Sequence, residues 1–198
     1  MATARDLDAA FAAQPRERFL PEAMRAKAYY DGPLSIGFGQ TNSQPRTVRA
    51  MLELLDVHPG QRCLDVGSGS GWTTALLATL VGPEGSVLGL ERVPTLVADG
   101  ASNVADAGLP WASVRTAAPG VLGAPDDAPF DRILVSAMAS RLPLDLVAQL
   151  RPGGVLVVPV AGRMRRVVRG LPPRDDPRDA EVTEHGRYRF VPLVTDPA

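Results

Sequence analysis

Apolar positions along the chain change their period repeatedly, and each change marks an element boundary. Val155 to Val160 is nearly pure Val and Leu, the pattern of a strand buried on both faces of a sheet. Shorter apolar runs at Arg62 to Val66, Ser86 to Leu90, Ala112 to Thr116 and Phe130 to Ser136 predict four further strands. Between them the spacing turns helical. Val48, Met51, Leu52 and Leu55 predict a helix over Arg46 to Leu55, ended by Pro59-Gly60. Further helices are predicted for Trp72 to Val81, closed by Gly82-Pro83, for Pro94 to Ala107, closed by Gly108, and for Leu144 to Leu150, stopped by Arg151-Pro152-Gly153-Gly154. Strands that alternate with helices imply right-handed crossovers and a parallel sheet. The expected fold is therefore α/β: a doubly wound, Rossmann-like, mostly parallel sheet with helices on both faces.

The two ends of the chain follow other rules. Leu7 to Tyr30 reads as helical segments interrupted by Pro15 and Pro21. Asp31 to Pro45 reads as a polar loop, punctuated by Gly32, Pro33, Gly37 and Gly39; a loop this long inside a compact domain points to function. At the other end, Arg165 to Arg169 and Arg187 to Leu193 predict antiparallel strands, separated by the Pro- and Asp-rich loop Leu171 to Ala180. A single domain, 1–198, is expected: an N-terminal helical segment and loop (1–45), a central α/β core (46–160) and a β extension (161–198).

Composition narrows the possibilities. The 198 residues are 45% hydrophobic and 22% charged, an ordinary globular balance. A net charge of -1 supplies no global basic field to gather nucleic acid, and Arg163, Arg165, Arg166 and Arg169 read as a solvated hairpin edge. Cys63, the single cysteine, excludes an internal disulfide and lies in an apolar run, so it reads as a small core side chain. The first residues contain Arg5, Asp6 and Asp8 without an apolar signal region, and no stretch is long and apolar enough for a membrane span. A cytoplasmic monomer without a metal is the expectation.

The chemistry concentrates in Asp65-Val66-Gly67-Ser68-Gly69-Ser70-Gly71, which leaves a predicted strand and opens a helix. The first glycine permits the tight turn, the second lets a ligand approach the backbone, and the third lets helix and strand pack closely. Glu91 ends the next strand, 20 residues after Gly71, where a carboxylate can accept both ribose hydroxyls of an adenosyl ligand. A dinucleotide needs G-x-G-x-x-G, but here the third glycine comes one residue early and Trp72 follows it. Asp65 would also repel a pyrophosphate, whereas it suits the ammonium of a methionine moiety. S-adenosyl-L-methionine is thus the favoured ligand.

With these residues placed, the chain resembles the protein-L-isoaspartate O-methyltransferase family from Pro15 to Leu193. The resemblance is carried by Pro15-Arg16-Glu17-Arg18-Phe19-Leu20-Pro21, by the loop Asp31 to Pro45 with its core Gly39-Gln40-Thr41-Asn42-Ser43-Gln44-Pro45, and by Arg189-Phe190-Val191-Pro192-Leu193. It implies methyl transfer from S-adenosyl-L-methionine to the carboxylate of an isoaspartyl or aspartyl residue in a protein or peptide, leaving S-adenosyl-L-homocysteine. It implies catalytic roles for Ser43 and Thr41, and cofactor contacts at Asp65, Gly67, Ser68, Gly69, Gly71, Trp72, Glu91 and Arg92. It further implies acceptor contacts at Gln40, Ser43, Ala137, Val191, Pro192 and Leu193. The residue-level alternative for Ser43 is a hydroxyl that bonds its own turn. At the level of function, the alternatives are a dedicated aspartate methyltransferase of peptide maturation, and a small-molecule or RNA methyltransferase on the same fold.

The chain departs from the family pattern in places. Where the family carries Gly-Asp-Gly after the third strand, this chain reads Ala118-Pro119-Gly120, and proline offers no side-chain acceptor to an adenine amino group. Either Asp99 or a loop carbonyl is expected to serve instead, or the cofactor affinity is expected to be lower. Trp72 stands for a tyrosine, Asn42 replaces an isoleucine, and the leader before Pro15 is short, so that a first helix is expected to be absent.

Overall fold

The computed structural model describes residues 4–194. Helix α1 (Ala4–Ala13), a short 3-10 turn (Arg16–Phe19) and α2 (Glu22–Arg25) lead to the hairpin β1 (Leu34–Gly37) and β2 (Gln40–Asn42). Then α3 (Pro45–Leu55), β3 (Arg62–Val66), α4 (Trp72–Val81), β4 (Ser86–Glu91), α5 (Pro94–Asp106) and β5 (Ala112–Thr116) follow in order. The chain continues with β6 (Phe130–Val135), α6 (Leu144–Ala148), β7 (Leu150–Val160), β8 (Arg163–Val168) and β9 (Glu181–Arg187). The seven-stranded sheet has the order β5-β4-β3-β6-β7-β8-β9. Its first five strands are parallel, and β8 and β9 join antiparallel. The fold is the expected doubly wound α/β sheet with antiparallel C-terminal strands.

Alternation along the strands explains the unbroken apolar runs. In β7, Val155 and Val157 enter the core shared with α1, α3 and α4, while Leu156, Val158 and Val160 enter the opposite core with α6. Helix α4 is apolar all round because it is enclosed: nine of its ten residues are buried, with Leu7 and Ala10 of α1 in the same core.

Several boundaries differ from expectation. The polar loop 31–45 contains the β1–β2 hairpin, whose turn Gly37-Phe38-Gly39 has φ values of 89°, 55° and 71°; local turn chemistry, not apolar periodicity, makes this hairpin. Helix α1 starts at Ala4, ahead of the helical segment expected from Leu7, and ends before Pro15 as expected. Strand β7 starts at Leu150 and includes the Pro-Gly-Gly segment, so α6 ends at Ala148. The last strand is Glu181–Arg187, not Arg187 to Leu193. As an edge strand it is exposed and polar, which hides it from hydrophobic patterning. The apolar residues after it cross instead to Met138, with Met138 N donating to Val191 O (2.7 Å) and Leu193 N to Met138 O (2.8 Å).

Gly71 is the tightest point of the frame. Its φ is +89°, and a Cβ there would lie 2.9 Å from the Gly100 carbonyl oxygen of α5. The close packing is therefore helix against helix, not helix against strand. Gly71→Ala should lower the folding free energy by about 3 kcal/mol, combining left-handed strain with overpacking; an unchanged urea midpoint would show that α5 can yield.

Candidate active site

The sheet reverses direction of growth at β3, with β4 on one side and β6 on the other, so a crevice opens at the carboxyl ends of these strands. A cleft of about 370 Å³ lies there. The glycine turn forms its floor. Gly67 N and Ser68 N both donate to Leu90 O, at 2.9 and 3.0 Å, which ties the turn to β4. Gly69 N donates to Glu91 Oε2 (3.0 Å), and Arg92 N and Val93 N donate to Oε1 (2.7 and 2.9 Å). Glu91 is thereby fixed at the cleft wall, with lone pairs left for ligand hydroxyls.

Asp65 sits beneath the turn, fully buried. Its Oδ2 accepts from Thr73 Oγ1 (2.6 Å) and Thr74 Oγ1 (2.7 Å), while Oδ1 has no partner. Burial pushes its carboxyl up to about 6, opposed by the two threonine hydroxyls and reinforced by the charge of Glu91. Burial also raises the Cys63 thiol far above its ordinary value, which leaves no thiolate for nucleophilic chemistry.

The roof comes from the hairpin and the tail. Gln40, Thr41, Asn42 and Ser43 line the cleft from one side, and Ala137, Val191, Pro192 and Leu193 from the other. Gly67, Ser68, Gly69, Trp72, Glu91 and Arg92 line it as well. Asp65 and Gly71 do not: Asp65 lies under the turn, and Gly71 packs on α5. Trp72 is mostly a core residue, its ring edge-on to Phe11 and its Nε1 donating to Gln14 O (2.9 Å). Asp99 is exposed on α5 and lies outside the cleft lining, so it is not the substitute acceptor considered for Pro119. The loop 117–123 covers that end with Ala117, Ala118, Pro119, Val121 and Leu122, so its acceptors are backbone carbonyls, beside the hydroxyl of Thr116 at the end of β5.

Two residues escaped sequence reasoning. Arg16 is 5% exposed and holds the hairpin in place. Its Nε donates to Asn42 Oδ1 (2.8 Å), its Nη1 to Tyr30 O (2.9 Å), and its Nη2 to the carbonyls of Gly32, Asn42 and Ser43 (2.8, 2.9 and 2.9 Å). Its guanidinium also lies 5.6 Å from the Trp72 ring centroid. Asn42 Nδ2 donates in turn to Ser70 Oγ (3.4 Å), joining hairpin to turn. The second missed residue is Ser136, which follows β6 and lines the cleft. The switch-point rule would have flagged it, because β6 flanks β3. Arg16 stands in the Pro15 to Pro21 motif that carries the family resemblance, but nothing in that motif marks it as the residue that will be buried.

A second cleft, of about 530 Å³, shares Thr41, Ser43, Ser136 and Val191 with the first. Thr41 and Ser43 line both clefts, and their hydroxyls form no hydrogen bond to a described residue.

A glycine turn whose third glycine comes one residue too early for a dinucleotide, a carboxylate closing the second parallel strand and a cleft at the switch point fit the class of S-adenosylmethionine-dependent methyltransferases. The residues present fit that cofactor: Ser68, which lines the cleft, has a buried Oγ without a partner among the described residues, as expected of a group awaiting a polar ligand. The model of the protein-L-isoaspartate(D-aspartate) O-methyltransferase family matches residues 2–198. The chain is 42% identical over 180 residues to a protein-L-isoaspartate O-methyltransferase of Methanopyrus kandleri, covering 91% of this chain and 79% of that one. It is 47% identical over 187 residues to the enzyme of the same name from Anaeromyxobacter dehalogenans, covering 93% and 87%. Among solved structures, a protein-L-isoaspartate O-methyltransferase of Plasmodium falciparum in complex with S-adenosyl-L-homocysteine superposes with a TM-score of 0.82 at 25% identity, covering 96% of this chain and 91% of that chain. The chain belongs to the protein-L-isoaspartate(D-aspartate) O-methyltransferase family.

Proposed function

We propose that this protein transfers the methyl group of S-adenosylmethionine to the carboxylate of isoaspartyl or aspartyl residues in proteins or peptides. The observation that carries the reading is the meeting of two clefts at Thr41, Ser43, Ser136 and Val191: one suits the cofactor, the other leaves room for a polypeptide acceptor. Gly67, Ser68, Gly69, Trp72, Glu91 and Arg92 hold the cofactor. Asp65 favours its ammonium from beneath, and Gly71 fixes the turn. Gln40, Ala137, Val191, Pro192 and Leu193 contact the acceptor. When bound, the cofactor supplies an electrophilic sulfonium methyl. An acceptor carboxylate is already ionised at neutral pH, so the chain need not provide a general base. Ser43 and Thr41 orient its oxygens through their free hydroxyls, and the hairpin and tail keep water from the junction.

Residues 1–198 act as one domain, and the shared sheet of the 46–160 and 161–198 segments supports this. The reading includes a cytoplasmic monomer that does not act on nucleic acid, and the net charge of -1 supports the last of these alone; no helix of the described residues is long and apolar enough to cross a membrane.

Labelled S-adenosylmethionine, incubated with an isoaspartyl peptide and its aspartyl twin, tests the reading. A base-labile methyl ester is expected on the isoaspartyl peptide. Esterification of the aspartyl twin alone would indicate a dedicated maturation enzyme, and absence of ester on both would refute carboxyl transfer. Ser43→Ala should leave cofactor affinity nearly unchanged and reduce turnover by about tenfold to a hundredfold. Loss of affinity instead would make Ser43 a cofactor residue.

A further inference from the structure

The second cleft carries a charge pattern that methyl transfer alone does not require. Arg46, Arg187 and Arg189 line it, and no aspartate or glutamate does. Elsewhere the chain pairs many of its arginines: Arg115 with Asp127, Arg163 and Arg165 with Glu184, Arg178 with Asp176. Arg166 and Arg169 are spent on backbone carbonyls of Leu54, Ala148 and Asp175. At the cleft, Arg46 is partly neutralised by Asp31, 3.5 Å away. Arg187 and Arg189 are exposed and form no ion pair with a described residue.

With a net charge of -1 over the whole chain, this positive spot is local, not part of a general basic surface. Tyr188 and Phe190 alternate with the two arginines along the same segment. They are half-buried while the arginines are exposed, so guanidinium groups and aromatic rings line the cleft together. A guanidinium fork binds carboxylates with two parallel hydrogen bonds. The acceptor group itself must reach the shared edge at Ser43, so the arginines are left to meet its neighbours in the sequence.

We propose that the second cleft recognises an acidic side chain flanking the methyl-accepting residue, making anionic polypeptide segments the preferred substrate class. The proposal rests on the carboxyl methyltransferase reading. It concerns selectivity among acceptors and not the reaction itself.

The test is a panel of isoaspartyl peptides that differ only in having Glu, Gln or Lys at the first or second position on either side of the isoaspartate. Ester formation is measured as kcat/KM at low and high salt. At one or more positions Glu should exceed Gln by about fivefold, as expected for an exposed guanidinium–carboxylate pair, and Lys should fall below Gln. Salt at about 0.5 M should shrink the preference, since the Debye length then falls well below 10 Å. In the double variant Arg187→Gln, Arg189→Gln, checked for folding by circular dichroism, the Glu-to-Gln ratio should approach one.

Equal rates for Glu and Gln at every position would overturn the proposal while leaving methyl transfer to isoaspartate intact. So would a preference undiminished in the double variant. Methylation of no peptide in the panel would instead bring down the underlying reading and the proposal with it.

Discussion

Arg16→Met should reduce methyl transfer to an isoaspartyl peptide by about a hundredfold, a loss of the size that slight misplacement of reacting groups produces. It should also lower the folding free energy by about 3 kcal/mol. Methionine keeps the buried stem but removes every donor. The guanidinium donates to three backbone carbonyls through Nη2 alone and to the Asn42 side chain through Nε. Desolvation lowers its proton affinity, a loss partly opposed by the charge of Asp31, yet it stays protonated. Without it the Gly32, Asn42 and Ser43 carbonyls lose a common anchor, and the hairpin is free to shift Thr41 and Ser43 away from the junction of the clefts. Cofactor affinity should change far less, because the glycine turn and Glu91 are held by β4. The measurements are an unfolding midpoint, a cofactor titration and kcat per folded molecule. If stability fell but kcat per folded molecule did not, Arg16 would be a structural brace and not a positioning residue.

Asp65→Asn should act in opposite directions on stability and binding. In the ligand-free protein, burial holds the Asp65 carboxyl at about 6, against an unfolded value near 3.9. A folded-state value above the unfolded one stabilises below about pH 4, and that contribution is lost as pH rises through about 6. Near neutrality the folded protein therefore carries a buried carboxylate relieved only by Thr73 and Thr74. Asparagine removes that charge and should raise stability at about pH 7.5 by about 1–2 kcal/mol, somewhat less than the full two-unit difference because its amide needs a new acceptor. Cofactor binding should weaken by about tenfold or more, since the ammonium loses its counter-charge. In the unaltered protein, affinity should rise between about pH 5 and pH 7, a range in which an α-ammonium remains protonated while Asp65 ionises. Calorimetric titration across that range decides the point. A flat profile would remove Asp65 from the binding site.

The parallel half of this fold was legible because physics repeats itself there. Each strand is buried on two faces and reads as an apolar run, and each crossover helix shows its own period. Glu91 and the glycine turn were legible for a related reason: a switch point places them by topology alone. The hairpin was not, because four-residue β1 and three-residue β2 are too short to show alternation, and glycines at positive φ make their turn. Strand β9 was misplaced because an exposed edge strand needs no apolar face. Arg16 illustrates a deeper limit. Its importance lies in pairing with residues 14 to 27 positions away, and an arginine that will be buried looks in sequence like one that will be solvated.

The contact between Gly71 and Gly100 has a mechanical consequence. The turn that opens α4 meets the backbone of α5 there, so a shift of one toward the other is sterically blocked and the floor of the cofactor cleft is braced. Breathing that admits a ligand or releases a product is expected in the roof instead. The hairpin is suited to it, held at its base by Arg16 while its tip carries an exposed Phe38. Rigidity in this enzyme is thus assigned to the wall that fixes the methyl donor, and compliance to the wall that meets the acceptor.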